Sequence, residues 1–264
     1  EDMQQGAEIF QAGHQLRPED LGVIAAAGLG EVSVFKPLKG AVISTGAELR
    51  APGQAARVDQ IFDANRPMLC ALLRRWGMEV VDIGIVPDEA AAVRAALDRA
   101  AERADVILTS GGASAGDEDH MSAVLRAGGG MALWRIAVKP GRPLALGVWG
   151  GVPVFGLPGN PVAAFVCTLI FARPALLRLA GAGFQVPKAL HLPAAFSKSK
   201  KAGRREYLRA RLRDGAVEVF ASEGSGRVSG LSWAEGLVEL PDAAVKILPG
   251  QTVCFLPYAS FGLP

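Results

Sequence analysis

One loop of the chain combines residue types that suit a phosphate group and a metal ion. Residues 110–116 include three glycines and two serines, and residues 117–120 add three acids and a histidine. Small residues let successive backbone N–H groups point at one anion, and carboxylates supply the oxygen ligands that Mg²⁺ shares with a phosphate. An ordinary turn leading into a helix with acids in its first turn remains the alternative for Asp117 and Glu118. The predicted anion cradle is formed by Ser110, Gly111, Gly112, Ser114 and Gly116.

A second segment concentrates positive charge. Arg135, Lys139 and Arg142 lie close together, and Pro140 and Gly141 follow the lysine directly. The β-branched residues between the first two cations predict an extended segment, in which residues four apart lie on one side. Arg135 and Lys139 are therefore predicted to face one anion. A solvated basic edge is the alternative.

Two shorter loops complete the set. Residues 44–49 form a turn of small residues, including Thr45 and Gly46, with one carboxylate at Glu48. Residues 156–161 contain Gly159 and Asn160 at a predicted helix N-terminus, which is a position that attracts anions. Capping alone explains the asparagine but not the glycines beside it.

The elements that must position these loops are strands of a mostly parallel sheet. From Gly40 onward short apolar runs alternate with longer amphipathic ones, which predicts βαβ units. Asn65 is predicted to cap the first helix and Gly77 to end it. Ligands of such sheets bind beyond the carboxyl ends of the strands, where the four loops would meet. Predicted strands cover 41–45, 80–85, 105–109, 144–148 and 152–155, and predicted helices cover 65–76, 88–103 and 160–179.

Composition narrows the class of protein. The chain has 264 residues, half of them apolar, with a net charge of +2, which gives no support to non-specific binding of nucleic acid or membrane. Cys70, Cys167 and Cys254 show neither disulfide nor zinc spacing, so a reducing, cytoplasmic compartment is expected. The most apolar stretch, 162–172, is shorter than a membrane span and is predicted to be a buried helix. No signal peptide is recognised.

The pattern divides the chain into three parts. Residues 39–182 are predicted to form the α/β domain, and residues 183–264 a small β domain, because helical periodicity fades after Gly183. Residues 1–38 fit neither pattern and are interpreted as the remnant of a further domain. The basic run between residues 198 and 213 alternates with apolar residues, which is typical of a strand with one wet face rather than a nucleic-acid site.

Six motifs in order resemble one known family. They read STGAEL (44–49), IFDANRPML (61–69), GIVPDE (84–89), SGGASAGDED (110–119), KPGRP (139–143) and GLPGNPV (156–162). This series is similar to the molybdopterin molybdotransferases, the family that includes bacterial MoeA and the E domain of gephyrin. The resemblance covers the chain from Glu1 to about Pro264.

The resemblance implies a fold and an enzyme activity. The implied fold is a molybdopterin-binding α/β domain with helices on both faces of its sheet, followed by a β-barrel-like domain. The implied reaction inserts molybdate into adenylylated molybdopterin, with Mg²⁺-dependent cleavage of the phosphoanhydride and release of AMP, the last step of molybdenum cofactor synthesis. Two further N-terminal domains and a homodimer are also implied, so this chain is expected to hold part of a site. Molybdopterin adenylyltransferase and apo-molybdoenzymes are the implied protein partners.

The resemblance also assigns residues. Glu48, Asp88 and Asp119 match acidic positions associated with the metal and the cofactor, and Arg135 and Lys139 match two cations near the oxyanion. In the β domain, Arg209 and Ser225 match positions that face the cleft.

Departures from the family pattern keep two alternatives open. Ala47 stands where the family usually has an acid, and arginine replaces the commoner lysine at positions 135 and 142. His120 stands where an aromatic residue is usual, and a surface role is expected for it. The alternatives are a molybdopterin adenylyltransferase on the same fold, and a non-catalytic molybdopterin-binding scaffold.

Overall fold

A computed structural model describes residues 3–111, 120–128, 130–222, 224 and 226–264, with the backbone alone for 131–135. In chain order the strands are β1 (Lys39–Thr45), β2 (Leu49–Arg50), β3 (Ile61–Phe62), β4 (Glu79–Val86), β5 (Val106–Ser110), β6 (Met131–Arg135), β7 (Val138–Lys139), β8 (Pro143–Trp149), β9 (Val152–Leu157), β10 (Leu190–Pro193), β11 (Lys198–Lys200), β12 (Arg205–Arg213), β13 (Ala216–Val219), β14 (Gly236–Leu240), β15 (Val245–Ile247) and β16 (Thr252–Pro257). The α-helices are α1 (Pro18–Ala26), α2 (Asn65–Arg75), α3 (Ala90–Ala101), α4 (His120–Ala127), α5 (Pro161–Cys167), α6 (Arg173–Leu179) and α7 (Ser229–Trp233).

The first sheet has the order β4-β1-β5-β9-β8-β6. Its first four strands run parallel, and β8 pairs antiparallel with both β9 and β6. Strand β1 is buried from Gly40 to Thr45, as expected of a central strand whose two faces are both covered. The predicted α/β class with a mostly parallel sheet is confirmed.

Helices cover both faces of this sheet. One apolar cluster includes Leu69 and Leu73 of α2 with Val166 and Leu169 of the long C-terminal helical run. The other cluster packs α3 and α4 against the opposite face, with Leu97 at its centre. The prediction of helices on both faces is therefore confirmed.

Capping of α2 differs from the prediction. Helix α2 begins at Asn65, but the Asp63 carboxylate accepts hydrogen bonds from the backbone N–H groups of Asn65 and Arg66, both at 3.1 Å. Asp63 therefore satisfies the open N–H groups, and the side chain of Asn65 is directed elsewhere. The prediction that Asn65 caps this helix was wrong. Gly77 ends it with φ +76°, as predicted.

The longest helical run is a core helix. It extends from α5 through a π-helical turn at Thr168–Ala172 to α6. The run Pro161–Leu179 is long and apolar enough to cross a membrane by composition, but 72% of its most apolar window is buried within the protein. It contacts α2 and β9, so its apolar surface is covered by protein.

The second sheet is β-rich and nearly closed. Its strand order is β10-β16-β14-β12-β13, and a bridge between Ala194 and Val217 joins the β10 and β13 edges. Asp214 and Gly215, both with positive φ, turn the chain from β12 into β13. The sheet buries its own apolar cluster around Val238 and Phe255. Strand β7 lies in the chain between β6 and β8 of the first sheet, but it pairs in parallel with β12 of the second sheet.

The N-terminal segment, residues 3–38, packs on the end of α6. A Cβ at Gly13 would lie 2.2 Å from the carbonyl oxygen of Gly181, and the Phe35 ring lies against Gly181 as well. Within it, hydrogen bonds from Arg17 and His14 lower the pKa of Asp20 to about 2. This segment contains α1 and otherwise lacks helices and strands among its described residues.

Buried thiols give a first testable prediction. Cys70 and Cys167 are 3% and 0% exposed, and burial raises their pKa values to about 11 and about 12. Since only the thiolate reacts, iodoacetamide at pH 8 is expected to leave both unlabelled in the folded protein and to label both after denaturation. Mass spectrometry of the digest checks this, and fast native labelling of Cys167 would contradict the packing of α5.

Candidate functional site

The predicted loops meet at one edge of the first sheet. Strands β1, β4, β5 and β9 all end there because they run parallel. A cavity of about 620 Å³ opens at the ends of β1 and β4 and is lined by residues of both strand ends, including Gly46 and Asp88. Arg50, Arg57 and Arg66 also line it, and two of these arginines are paired, Arg57 with Asp59 and Arg66 with Asp82.

Asn65 holds two of the loops together. Its Nδ2 donates to Ser110 Oγ at 2.6 Å and to the carbonyl oxygen of Gly159 at 2.7 Å. The side chain is buried, so the bond to Ser110 is protected from water, and the bond to Gly159 is partly protected. The sequence analysis missed this role, although the motif 61–69 already contained Asn65. The end of β5 and the loop after β9 are thus fixed relative to α2.

Gly111 allows β1 and β5 to end in close contact. It has φ +86°, and a Cβ there would lie 2.1 Å from the backbone oxygen of Thr45. A Cβ on Gly159 would in turn lie 3.7 Å from Gly111 Cα. Ser110, Gly111, Thr45 and Gly159, all predicted to be site residues, are therefore neighbours.

Buried hydroxyl groups lie at the same strand ends. Ser44 Oγ, Thr45 Oγ1 and Thr109 Oγ1 are buried and lack a hydrogen-bond partner in the described part of the chain. Buried polar groups without partners are rare and commonly mark a position where a ligand or water binds. Their place at the ends of β1 and β5 agrees with a site for a polar ligand.

Of the three acids predicted to bind the metal, Glu48 and Asp88 are described, and their surroundings differ. Glu48 is exposed and lies back over its own turn, because a Cβ on Gly46 would be 2.8 and 2.9 Å from the Glu48 carboxylate oxygens. Asp88 is half-buried, and its Oδ1 is buried without a hydrogen-bond partner. Among the described residues no group of three or more His, Cys, Asp or Glu could hold a metal ion.

These carboxylates still suit Mg²⁺ in their chemistry. Mg²⁺ keeps several water ligands and is commonly bound by one or two carboxylates together with substrate phosphate oxygens. Asp88 lines the 620 Å³ cavity, and its Oδ1, which has no hydrogen-bond partner among the described residues, is the kind of oxygen ligand that Mg²⁺ binds.

The turn after β7 lines a second cavity. Lys139, Pro140, Gly141, Gly159 and Asn160 contribute to a cavity of about 310 Å³. Asn160 Oδ1 accepts from the backbone N–H groups of Val162 and Ala163, at 3.1 and 3.3 Å, so it caps α5 as predicted.

Arg135 and Lys139 do not belong to one strand. Arg135 ends β6 and pairs with Pro143 of β8 in the first sheet, whereas Lys139 belongs to β7 and pairs with β12 of the second sheet. The segment is extended as predicted, but the chain changes sheets between the two residues. That the two cations face one anion stays a prediction, because the side chain of Arg135 lies outside the described part of the chain.

Arg209 is engaged within the protein. Its guanidinium is buried and donates to the carbonyl oxygens of Ser222, Gly224 and Arg227 at 2.6, 3.2 and 2.6 Å. Its Cζ also lies 4.7 Å from the Phe220 ring centroid. These contacts show that Arg209 holds Ser222, Gly224 and Arg227 together, and its place in the cleft stays a prediction.

The Arg209 contacts give a second prediction. Arg209→Lys keeps the charge but loses the planar fork, so a drop of about 2 kcal/mol in unfolding free energy is expected. Urea denaturation measures it, with Arg213→Lys at an exposed strand end as the matched control. Equal midpoints for the two variants would contradict the role of Arg209 as a loop clamp.

The remaining cations of the β region are largely paired. Lys200 Nζ donates to the carbonyl oxygens of Pro241 and Ala243, Arg205 pairs with Glu239, and Arg211 pairs with Glu218. The predicted alternation of wet arginines with buried apolar residues was wrong for β12, because Arg209 is buried, Arg211 is half-buried and Leu212 is exposed.

Several predicted site residues lie outside the described residues. They are Gly112, Ser114, Gly116, Asp119 and Ser225; for Arg135 the backbone alone is described.

Two family profiles match the chain. One, described as a probable molybdopterin binding domain, matches residues 41–178. The other, described as the MoeA C-terminal region (domain IV), matches residues 191–258. The two matches correspond to the parts of the chain that form the first and second sheets.

Named relatives and solved structures agree with these profiles. The chain is 33% identical over 264 residues to a molybdopterin molybdenumtransferase of Haemophilus influenzae, covering 98% of this chain and 65% of the relative. It is 36% identical over 260 residues to molybdopterin molybdenumtransferase 2 of Mycobacterium tuberculosis, covering 95% and 64%. The crystal structure of a molybdopterin biosynthesis MoeA protein from Pyrococcus horikoshii matches with a TM-score of 0.82 at 30% identity, over 93% of this chain and 61% of that one. The chain thus spans less than two thirds of each of these proteins.

Proposed function

This chain belongs to the MoeA family of molybdopterin-binding proteins, and from that premise we propose that it carries the active-site part of a molybdopterin molybdotransferase. The proposed reaction inserts molybdate into adenylylated molybdopterin and releases AMP. The observation that carries the proposal is the meeting of the family motifs at one sheet edge, where Asn65 joins Ser110 to Gly159.

The described residues support distinct roles in that reaction. The cavity lined by Gly46, Asp88 and three arginines accommodates the anionic part of the substrate. Lys139, in the second cavity with Gly159 and Asn160, supplies a positive charge for molybdate or for the developing oxyanion. Ser110 and Gly111 position the backbone that begins the glycine-rich loop.

The metal is proposed to bind at carboxylates. Glu48, Asp88 and Asp119 would hold Mg²⁺, which when bound neutralises charge on the phosphoanhydride oxygens. Glu48 and Asp88 contribute oxygen donors from the ends of β1 and β4, and Asp119 is included from the family motif. The molybdenum ends on the two dithiolene sulfurs of the substrate, so no protein thiol is needed. The buried positions of Cys70 and Cys167 agree with that arrangement.

The wider organisation is proposed from the family. We assign residues 39–182 to the molybdopterin-binding domain, residues 183–264 to the β domain, and residues 1–38 to the end of a preceding domain. A cytoplasmic homodimer is the proposed state. Molybdopterin adenylyltransferase and apo-molybdoenzymes are the proposed protein partners.

The proposed function is tested by measuring AMP release. The full-length protein, including the preceding domain, is incubated with adenylylated molybdopterin and Mg²⁺, with and without molybdate, and AMP is quantified by chromatography. Molybdate-stimulated release is expected. Tight binding without release would identify a scaffold, and adenylylation of molybdopterin from ATP would identify an adenylyltransferase; either result would overturn the proposal.

Loss of one carboxylate gives a third prediction. Asp119→Asn is expected to lower AMP release at least about 100-fold, since removing a metal-binding charge removes transition-state stabilisation. The thermal unfolding midpoint of the variant serves as the control for folding. Unchanged turnover would remove Asp119 from the site.

A further inference from the structure

The two sheets are joined where β7 pairs with the start of β12. Lys139 stands opposite Glu206 in this parallel register, and Val138 stands opposite Arg205. The backbone N–H of Arg205 donates to Ala137 O at 2.9 Å, which extends the pairing. The register therefore brings the side chains of Lys139 and Glu206 together from different sheets.

Glu206 is a buried carboxylate between two ammonium groups. Its side chain is 9% exposed, and its Oε2 lies 3.6 Å from Lys139 Nζ and 3.8 Å from Lys198 Nζ. Oε2 has no hydrogen-bond partner within bonding distance in the described part of the chain, so it contacts both lysines through charge alone. A buried carboxylate is costly unless opposite charge lies nearby. The two lysines supply that charge.

The same lysines line a pocket that Glu206 itself does not line. This pocket, of about 170 Å³, is lined by Lys139, Lys198, Arg209 and Tyr207 among others. Among the described residues, these four are the titratable or charged side chains that line it. Three cations around so small a volume repel one another, and repulsion would drive the flexible lysine side chains apart. The Glu206 carboxylate behind the pocket opposes that repulsion.

We propose that Glu206 is a positioning residue whose carboxylate fixes the Lys139 ammonium at the junction of the two sheets, facing the pocket. Lys198 shares the carboxylate from the second sheet. The consequence for turnover rests on the proposed function, in which Lys139 meets the oxyanion. The ion pair itself is a property of the free protein and can be tested without substrate.

The test of the ion pair compares two carboxylate-to-amide substitutions. Glu206→Gln keeps the side-chain shape and removes the charge, and Glu239→Gln does the same to a carboxylate on β14 that pairs with Arg205 at 2.8 Å. Both proteins are treated with acetic anhydride at pH 8 without substrate, and acetylation of Lys139 is quantified by mass spectrometry relative to the exposed Lys36. In Glu206→Gln the relative rate at Lys139 is expected to rise about threefold or more, because an amine that loses its carboxylate is less often protonated. Glu239→Gln is expected to leave the rate unchanged.

A turnover assay separates positioning from a merely structural role. Glu206→Gln is expected to lower kcat about tenfold and raise the KM for molybdate, while Glu206→Asp recovers part of both, since a carboxylate is restored at a shorter reach. If Glu206→Gln does not fold, Glu206→Asp is compared with wild type in the acetylation assay, with an intermediate rise expected. Unchanged Lys139 acetylation in a folded variant overturns the inference. Increased acetylation with no turnover in wild type supports the ion pair and overturns the proposed function alone.

Discussion

Gly111→Ala is expected to lower the unfolding free energy by about 3 kcal/mol or more, because a side chain there meets two penalties together. The residue has φ +86°, a region that L side chains rarely adopt, and its Cβ would lie 2.1 Å from the backbone oxygen of Thr45. That oxygen belongs to the end of β1 and cannot rotate away as a flexible side chain would. The strand ends must separate, and the cavities that depend on them must change shape.

A second glycine separates the two penalties. Gly77 has φ +76° and no atom within 4 Å of a Cβ, so Gly77→Ala measures the backbone cost alone, expected at about 1 kcal/mol. Urea denaturation of both variants gives the comparison. A loss in Gly111→Ala no larger than in Gly77→Ala would contradict the close approach of β1 and β5.

Asn65→Asp is expected to be the second most damaging change. Asparagine and aspartate have the same shape, but the two N–H groups that bond Ser110 Oγ and Gly159 O would be replaced by a carboxylate oxygen. The new charge would be buried and would face the carbonyl oxygen of Gly159. A loss of about 3 kcal/mol in unfolding free energy is expected, with at least about a 100-fold loss of AMP release.

The same substitution at Asn160 is the matched control. Asn160 uses only its Oδ1, which accepts from two backbone N–H groups at the start of α5. Aspartate accepts equally well there, and its negative charge favours a helix N-terminus. Asn160→Asp is expected to change the urea midpoint little. Similar losses at both positions would show that Asn65 is not the donor that joins the loops.

The contrast between these two asparagines also shows what the sequence could predict. Both lie at the start of a helix with a proline one or two residues later, so the local pattern assigns both to capping, and it is right for Asn160. At α2 the cap comes from Asp63, two residues earlier, because the turn directs its carboxylate at the open N–H groups. The Asn65 side chain then bonds Ser110 and Gly159, and the residues next to Asn65 in the sequence do not predict these partners from distant loops.

Strands were predicted well where burial is continuous and less well where pairing is distant. The buried run of β1 and the alternation of strand and helix after it fix the parallel sheet. The crossing from β6 to β7 depends on a partner about 70 residues away, at Glu206, so spacing within 135–139 could not reveal the change of sheet. The carbonyl oxygens around Arg209 are another long-range feature that residue type alone does not reveal.

The most direct test of the central claim measures molybdenum and AMP in one sample. The full-length protein, including the preceding domain, is incubated with adenylylated molybdopterin, Mg²⁺ and molybdate. The product is separated, its molybdenum is quantified by mass spectrometry, and AMP is quantified by chromatography. Insertion coupled to cleavage predicts one molybdenum per AMP, with both lost together in Lys139→Met. AMP released without molybdenum in the product, or substrate bound with neither change, would contradict the assignment of this chain to molybdate insertion.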